Sequence, residues 1–229
     1  CGREDSYHVL VPGKTGLIRL WKRLNGKQPI GSIDDKYRYN QHSLPEPSGQ
    51  ISMSSETIHY QGRFLNLVEK DNWEFATRSN AHAVAVIVAV SEAGELVLVE
   101  QYRRPVDARV IELPAGLVGD QAGPDESILE AAGRELTEET GFKASELSLI
   151  MDCPSSAGMT DEVVSFVRAR GLVRTGPGGG DASEDIEVHL VPLSEVDAWL
   201  EQRQGGGTPV DPKIFAALHW LGRERNPTS

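Results

Sequence analysis

The sequence predicts an α/β fold in which a small antiparallel β region precedes a larger mixed unit. Three observations carry this. Segments rich in β-branched and aromatic residues, separated by turn residues, cluster between positions 57 and 78. Two long apolar runs, 83–90 and 96–102, come next, and helical and strand-like segments alternate from there onward. In order, Thr57 and Ile58 mark the first strand, 64–69 and 73–78 the next two, with Asp71-Asn72 as the turn between the last pair. The apolar runs flank Glu92-Ala93-Gly94-Glu95 and read as a buried hairpin. A helix near 126–140 ends on Gly141 as its C′ residue. Strands follow around 147–152, 163–169 and 187–192, then a helix over 194–203. A last helix opens at Asp211-Pro212, a good N-cap and N1 pair. The glycine run 176–180, with Pro177 inside, reads as a flexible loop between two strands.

Charge and composition narrow the function. With 23 Lys and Arg against 34 Asp and Glu the net charge is −11, which disfavours nucleic acid as a partner because that affinity comes from cations on phosphates. The longest apolar run, 83–90, is far short of the roughly 20 residues a membrane helix needs. Two cysteines, Cys1 and Cys153, are too few for a disulfide framework and point to a reducing, cytoplasmic setting. Residues 1–50 carry net +3 and 51–229 net −14, so the two parts are expected to do different work. We divide the chain into an N-terminal extension and linker (1–50), an antiparallel β region (51–80) and a main domain (81–229). Within the extension, Leu17, Ile18, Leu20, Trp21 and Leu24 alternate with basic residues, as in an appended amphipathic helix or arm. The chain begins with Cys1, as a processed product or a fragment would.

The chemistry concentrates in the helix near 126–140. At about 100° per residue, Glu135, Glu138 and Glu139 share one face, beside an apolar stripe of Ile128, Leu129, Ala132 and Leu136. Like charges at this spacing cost a helix a few tenths of a kcal/mol per pair. A half-buried anionic cluster therefore asks for a cation, and hard oxygen ligands without nearby His or Cys favour Mg²⁺, or Mn²⁺, over zinc. An exposed acidic helix face is the plain alternative. The six histidines show no zinc spacing, Pro12-Gly13-Lys14-Thr15 lacks the glycine a P-loop needs at position 8, and no GxSxG is present.

Glu126, seven residues, then Arg134-Glu135-Leu136-x-Glu138-Glu139-x-Gly141-Phe142 resembles the Nudix hydrolase signature, GxxxxxEx7REUxEExGU, where U is bulky and apolar. One departure is that Gly116 is followed by nine residues before Glu126, where the signature has five. The insertion, within 117–125, is expected to lengthen the loop and leave the metal face intact. The resemblance implies a Nudix α/β/α sandwich with a mixed sheet.

Beyond the signature, Glu100-Gln-Tyr-Arg103-Arg-Pro105, Glu112-Leu-Pro-Ala-Gly116 and Ser155-Ser-Ala-Gly-Met-Thr-Asp161-Glu162 resemble the ADP-ribose and ADP-sugar pyrophosphatase branch; Glu184-Asp-Ile-Glu187 and Asp211-Pro-Lys213 do so more weakly. This implies a homodimer in which the 51–80 region takes part and the partner helps complete the nucleotide pocket. It further assigns Glu135 and Glu139, with Glu138 or Glu126 through water and the carbonyl of Ala115, to the metal. Arg134 would hold a signature glutamate. Trp73, Glu74 and Arg78 would bind the base, and Arg103 phosphate or base; core or interface packing for Trp73 and an ordinary ion pair for Arg103 are the competing readings. Glu162, or Glu139, would take the proton of the attacking water. The implied reaction is Mg²⁺-dependent hydrolysis of a nucleoside diphosphate sugar, with ADP-ribose or an ADP-sugar giving AMP and a sugar phosphate. Alternatives are a GDP-mannose or other sugar-nucleotide hydrolase, and a nucleotide-sensing module without catalysis.

Overall fold

The computed structural model of the chain describes residues 56–225 apart from 121, 122, 124 and 181–184. The expected extension and linker, with the amphipathic stretch at 17–24, lie outside the described residues. The first element is a three-stranded antiparallel sheet of β1 (Glu56–Gln61), β2 (Leu65–Lys70) and β3 (Trp73–Arg78). Lys70 pairs with Trp73, so Asp71 and Asn72 form a two-residue turn, and their φ values of 53° and 64° are the left-handed pair such a turn needs. Val68 is the one fully buried hydrophobic side chain of this sheet, while Ile58, Tyr60, Leu65, Leu67 and Trp73 stay exposed.

Two further sheets follow. One has the order β7-β4-β9-β8, from β7 (Ala115–Val118), β4 (Ala83–Ala89), β9 (Val163–Arg174) and β8 (Phe142–Pro154). The other has the order β10-β5-β6, from β10 (Ile186–Pro192), β5 (Glu95–Arg103) and β6 (Ala108–Glu112). The expected hairpin of the two apolar runs is therefore corrected. The chain does turn tightly, with Ser91 N–H donating to the Glu95 carbonyl and one bridge between Val90 and Leu96, but β4 and β5 then part into different sheets. β4 is taken on one edge by β7 and on the other, in parallel, by β9. β5 is taken by β6 and β10. Apolar residues on both faces of a run mark it as a central strand, and say nothing about which strand lies beside it.

Alternation along β4 divides the core. Ala83, Ala85, Ile87 and Ala89 pack with Ala131, Ala132 and Leu136 of α1 (Ile128–Thr140). Val86 and Val88 face the opposite way and pack with Val196 and Leu200 of α2 (Val196–Gly205) and Ile214, Ala217 and Leu221 of α3 (Lys213–Arg225). Helices thus cover both faces, giving the expected α/β/α sandwich with a mixed sheet. Each fully buried Leu, Val, Ile or Phe side chain contributes roughly 1.5–3 kcal/mol, enough to hold the charged end of α1 against the sheet.

The glycine run is a loop between β9 and β10, as expected, and it is bonded to the end of α1. Gly179 and Gly180 N–H groups donate to the Glu139 and Glu138 carbonyls (2.8 and 3.0 Å), and Thr175 N–H to the Gly141 carbonyl (2.7 Å). These bonds satisfy carbonyls that a helix end otherwise leaves unpaired. A Cβ on Gly178 would lie 2.5 Å from the Thr140 carbonyl carbon, and its φ is +72°. Gly178→Ala is therefore expected to destabilise the fold by roughly 2 kcal/mol or more in urea unfolding. Gly176→Ala, with open space at its Cβ, should be near neutral. Equal tolerance of both would mean that the loop does not pack on the helix.

Candidate active site

α1 starts two residues later than the sequence suggests. Ser127 caps it: its hydroxyl accepts the Glu130 N–H and the Glu130 carboxylate accepts the Ser127 N–H, at 3.3 and 2.9 Å. Glu126 is thereby left outside the helix. Its carboxylate turns back to accept the Gly119 N–H (2.9 Å) and pairs with Arg134 Nε (3.0 Å).

Arg134 is the centre of the cluster. Besides Glu126 it reaches Glu135 (2.7 Å), Glu138 (3.3 Å), Asp120 (3.6 Å) and the Leu117 carbonyl (3.2 Å). Burial opposes its charge, but Glu126 and Glu135 more than offset this and hold the guanidinium protonated above its ordinary range. The Arg134 hydrogen bond in turn keeps the Glu126 carboxyl below its ordinary value against the effect of burial. Glu135 behaves differently. Burial pushes it up to about 7, Arg134 counters this only in part, and Glu138 and Asp120 add repulsion.

β7 runs along the helix close enough to shape these side chains. The Glu139 carboxylate accepts the Ala115 N–H at 3.0 Å. A Cβ on Gly116 would lie 1.9 Å from the Glu135 carboxyl carbon, so only glycine lets the strand pass there.

A cavity of about 370 Å³ opens over this arrangement. Ala115, Glu135, Glu138 and Glu139 form one wall; Glu162, Arg78 and Arg103 also line it, while Glu126 and Arg134 sit behind. The Glu162 carboxylate accepts from Arg78 Nε at 2.5 Å, and Arg103 pairs with Glu112 at 2.7 Å. Trp73 lies outside this cavity, two-thirds exposed, in a second hollow with Lys70, Phe75, Gly158 and Asp161. A small third hollow shares Asp161 with the Trp73 hollow and Arg78 and Glu162 with the main cavity. Glu74 is exposed and lines none of the three.

The donor set suits a hard divalent cation: carboxylate oxygens share one wall, and the Glu135 carboxyl is held where positive charge would replace its proton. Among the described residues the tightest grouping of ligand-type atoms lies elsewhere, at Glu100, Glu187 and His189, within 4.8 Å of one another. There Arg203 and Arg109 already stand 3.1 and 3.3 Å from Glu100 and supply the positive charge.

Residues 80–215 match the family model of the NUDIX domain. The chain belongs to the Nudix family. It is 35% identical over 170 residues to the ADP-ribose pyrophosphatase of Bacillus subtilis, covering 71% of this chain and 87% of that one. It is 30% identical, with the same coverage, to the methanol dehydrogenase activator of Bacillus methanolicus. The fold is similar to a crystal structure of an ADP compounds hydrolase, with a TM-score of 0.57 at 22% identity over 74% of this chain and 90% of that one.

The Nudix signature thus lies on β7, the lengthened loop and α1. Sequence reasoning gave no role to Gln101, Glu112, Asp120 or Lys213, which also line the cavity. Three of these four sit inside segments that carried the resemblance, so the signal was present but unassigned.

The Glu135 shift has a measurable sign in metal-free protein. A carboxyl raised to about 7 binds its proton more tightly folded than unfolded, so its contribution to stability is present below about 4.5 and is lost as pH rises through about 7. Glu126, shifted down, acts below that window. In EDTA, the melting temperature of the wild type should fall relative to that of Glu135→Gln between about pH 5 and pH 7. Parallel curves would show that burial does not raise this carboxyl.

Proposed function

We propose that the chain is a Mg²⁺-dependent Nudix pyrophosphatase that hydrolyses the diphosphate of a nucleoside diphosphate sugar, with ADP-ribose or an ADP-sugar as substrate and AMP and a sugar phosphate as products. The observation that carries this is the cavity itself, with signature carboxylates on one wall and Arg78, Arg103 and Glu162 lining it as well. The ADP-ribose pyrophosphatase relative supports the choice of substrate.

Glu135, Glu138 and Glu139, with the Ala115 carbonyl and with Glu126 through water, are the residues that would hold Mg²⁺; Mn²⁺ would fit the same oxygens. Bound there, the ion supplies charge neutralisation of the diphosphate and lowers the pKa of water. Arg134 holds Glu126 and Glu135 in place. Arg103 binds phosphate oxygens or the base and Arg78 the base, with Arg78 parting from Glu162. Glu162, once released, accepts the proton of the water that attacks phosphorus while the bridging P–O bond breaks. Glu139 is the alternative base.

We assign 81–229 to catalysis and 51–80 to dimerisation and base binding. Support comes from the first sheet, where Ile58, Tyr60 and Trp73 are more than half exposed, as expected of a surface a second copy covers. Trp73 and Glu74 would then complete a nucleotide pocket together with the partner. No helix of the described residues is long and apolar enough to cross a membrane, and we place the enzyme in the cytoplasm.

A hydrolysis panel of ADP-ribose, ADP-glucose, GDP-mannose and UDP-glucose with Mg²⁺, products identified by mass, tests this. Selective release of AMP is expected. GDP-mannose cleavage would overturn the base assignment and keep the chemistry, whereas binding without turnover would make the protein a sensing module. Trp73→Ala should raise the KM for ADP-ribose about tenfold, since stacking is worth roughly 1–3 kcal/mol per base; an unchanged KM removes Trp73 from the pocket.

A further inference from the structure

The cavity is poor in positive charge for an anionic substrate. Six carboxylates and three cations, Arg78, Arg103 and Lys213, line it. The first two are matched within the cavity wall, by Glu162 and Glu112. The partner of Lys213 is Asp211, whose carboxylate lies 2.6 Å from Nζ and is not part of the lining. Lys213 is therefore the lining cation whose counter-charge sits behind the wall.

Lys213 is also held by both ends. The second Asp211 oxygen accepts the Lys213 backbone N–H at 2.7 Å. The segment before it is fastened to β6 beside Glu112: Ile111 N–H donates to the Pro209 carbonyl (3.0 Å) and Asp211 N–H to the Ile111 carbonyl (2.9 Å). Ile214, the next residue, is fully buried. A long lysine side chain normally loses rotamer entropy when it binds; here Asp211 and the strand have already restricted it.

We propose that Lys213 is a diphosphate-binding residue, its ammonium contacting substrate phosphate oxygens in the cavity that the metal-holding carboxylates also line. This rests on the cavity being the diphosphate site proposed above. Lysine suits the task because its ammonium is a compact charge with three donors that can turn from Asp211 toward a phosphate oxygen.

The test is equilibrium binding of α,β-methylene-ADP, whose P–C–P bridge water does not cleave, to the full chain with saturating Mg²⁺. Lys213→Met is expected to weaken binding about tenfold or more, with Lys213→Arg recovering most of it and both variants keeping the wild-type melting temperature. In turnover, Lys213→Met should raise KM more than it lowers kcat. Equal affinity of wild type and Lys213→Met overturns the proposal. So does a loss of binding that tracks a loss of melting temperature and that Lys213→Arg does not restore, or a wild type that fails to bind the probe. The two readings separate cleanly. Probe binding that depends on Lys213, without cleavage of any sugar nucleotide, sinks the function and keeps Lys213. Turnover with an unchanged KM in Lys213→Met does the reverse.

Discussion

The guanidinium of Arg134 is the interaction on which the site depends. Four acidic side chains, Asp120, Glu126, Glu135 and Glu138, come within 3.6 Å of it, and it also donates to the Leu117 carbonyl. Without a cation at that point the group would repel itself, most of all at the buried Glu126 and Glu135, where water screens poorly. The contact also ties three pieces of chain together: the end of β7, the lengthened loop and the helix. The loop can therefore carry extra residues between Gly116 and Glu126 while both of its ends stay fixed.

A second constraint is the separation of β4 and β5. Because β4 pairs with β7 and β9, it places Ala115 and Gly116 directly against α1 and brings the start of β9 to the cavity. β5 and β6, paired with each other, bring Arg103 and Glu112. The loop before β9 is bound to the first sheet: Ala76 N–H donates to the Met159 carbonyl, Thr77 hydroxyl to Asp161 and Arg78 to Glu162. These bonds tie the first sheet to the part of the cavity wall that carries Glu162.

Much of this was legible in the sequence. The turn at Asp71-Asn72, the helix ending at Gly141 and the cap at Asp211 each follow from local chemistry, and each is found where expected. The grouping of Glu135, Glu138 and Glu139 follows from helical periodicity alone. What local pattern could not show was partnership. The apolar run 83–90 announces burial on both faces, yet its neighbours β7 and β9 lie far along the chain. The glycine run 176–180 has the composition of a loose loop, and only its hydrogen bonds to the end of α1 make it a cap.

The sequence by itself determined the element types, the carboxylate face and the membership in the Nudix family, because these depend on residue spacing within single segments. Tertiary structure decided that Glu126 lies off the helix and bonds Gly119, that Arg78 and Glu162 are paired, and that Lys213 stands at the same cavity as residues about 100 positions earlier. Those facts come from contacts between distant segments, fixed by packing of the shared core and by the need of each buried charge for a partner.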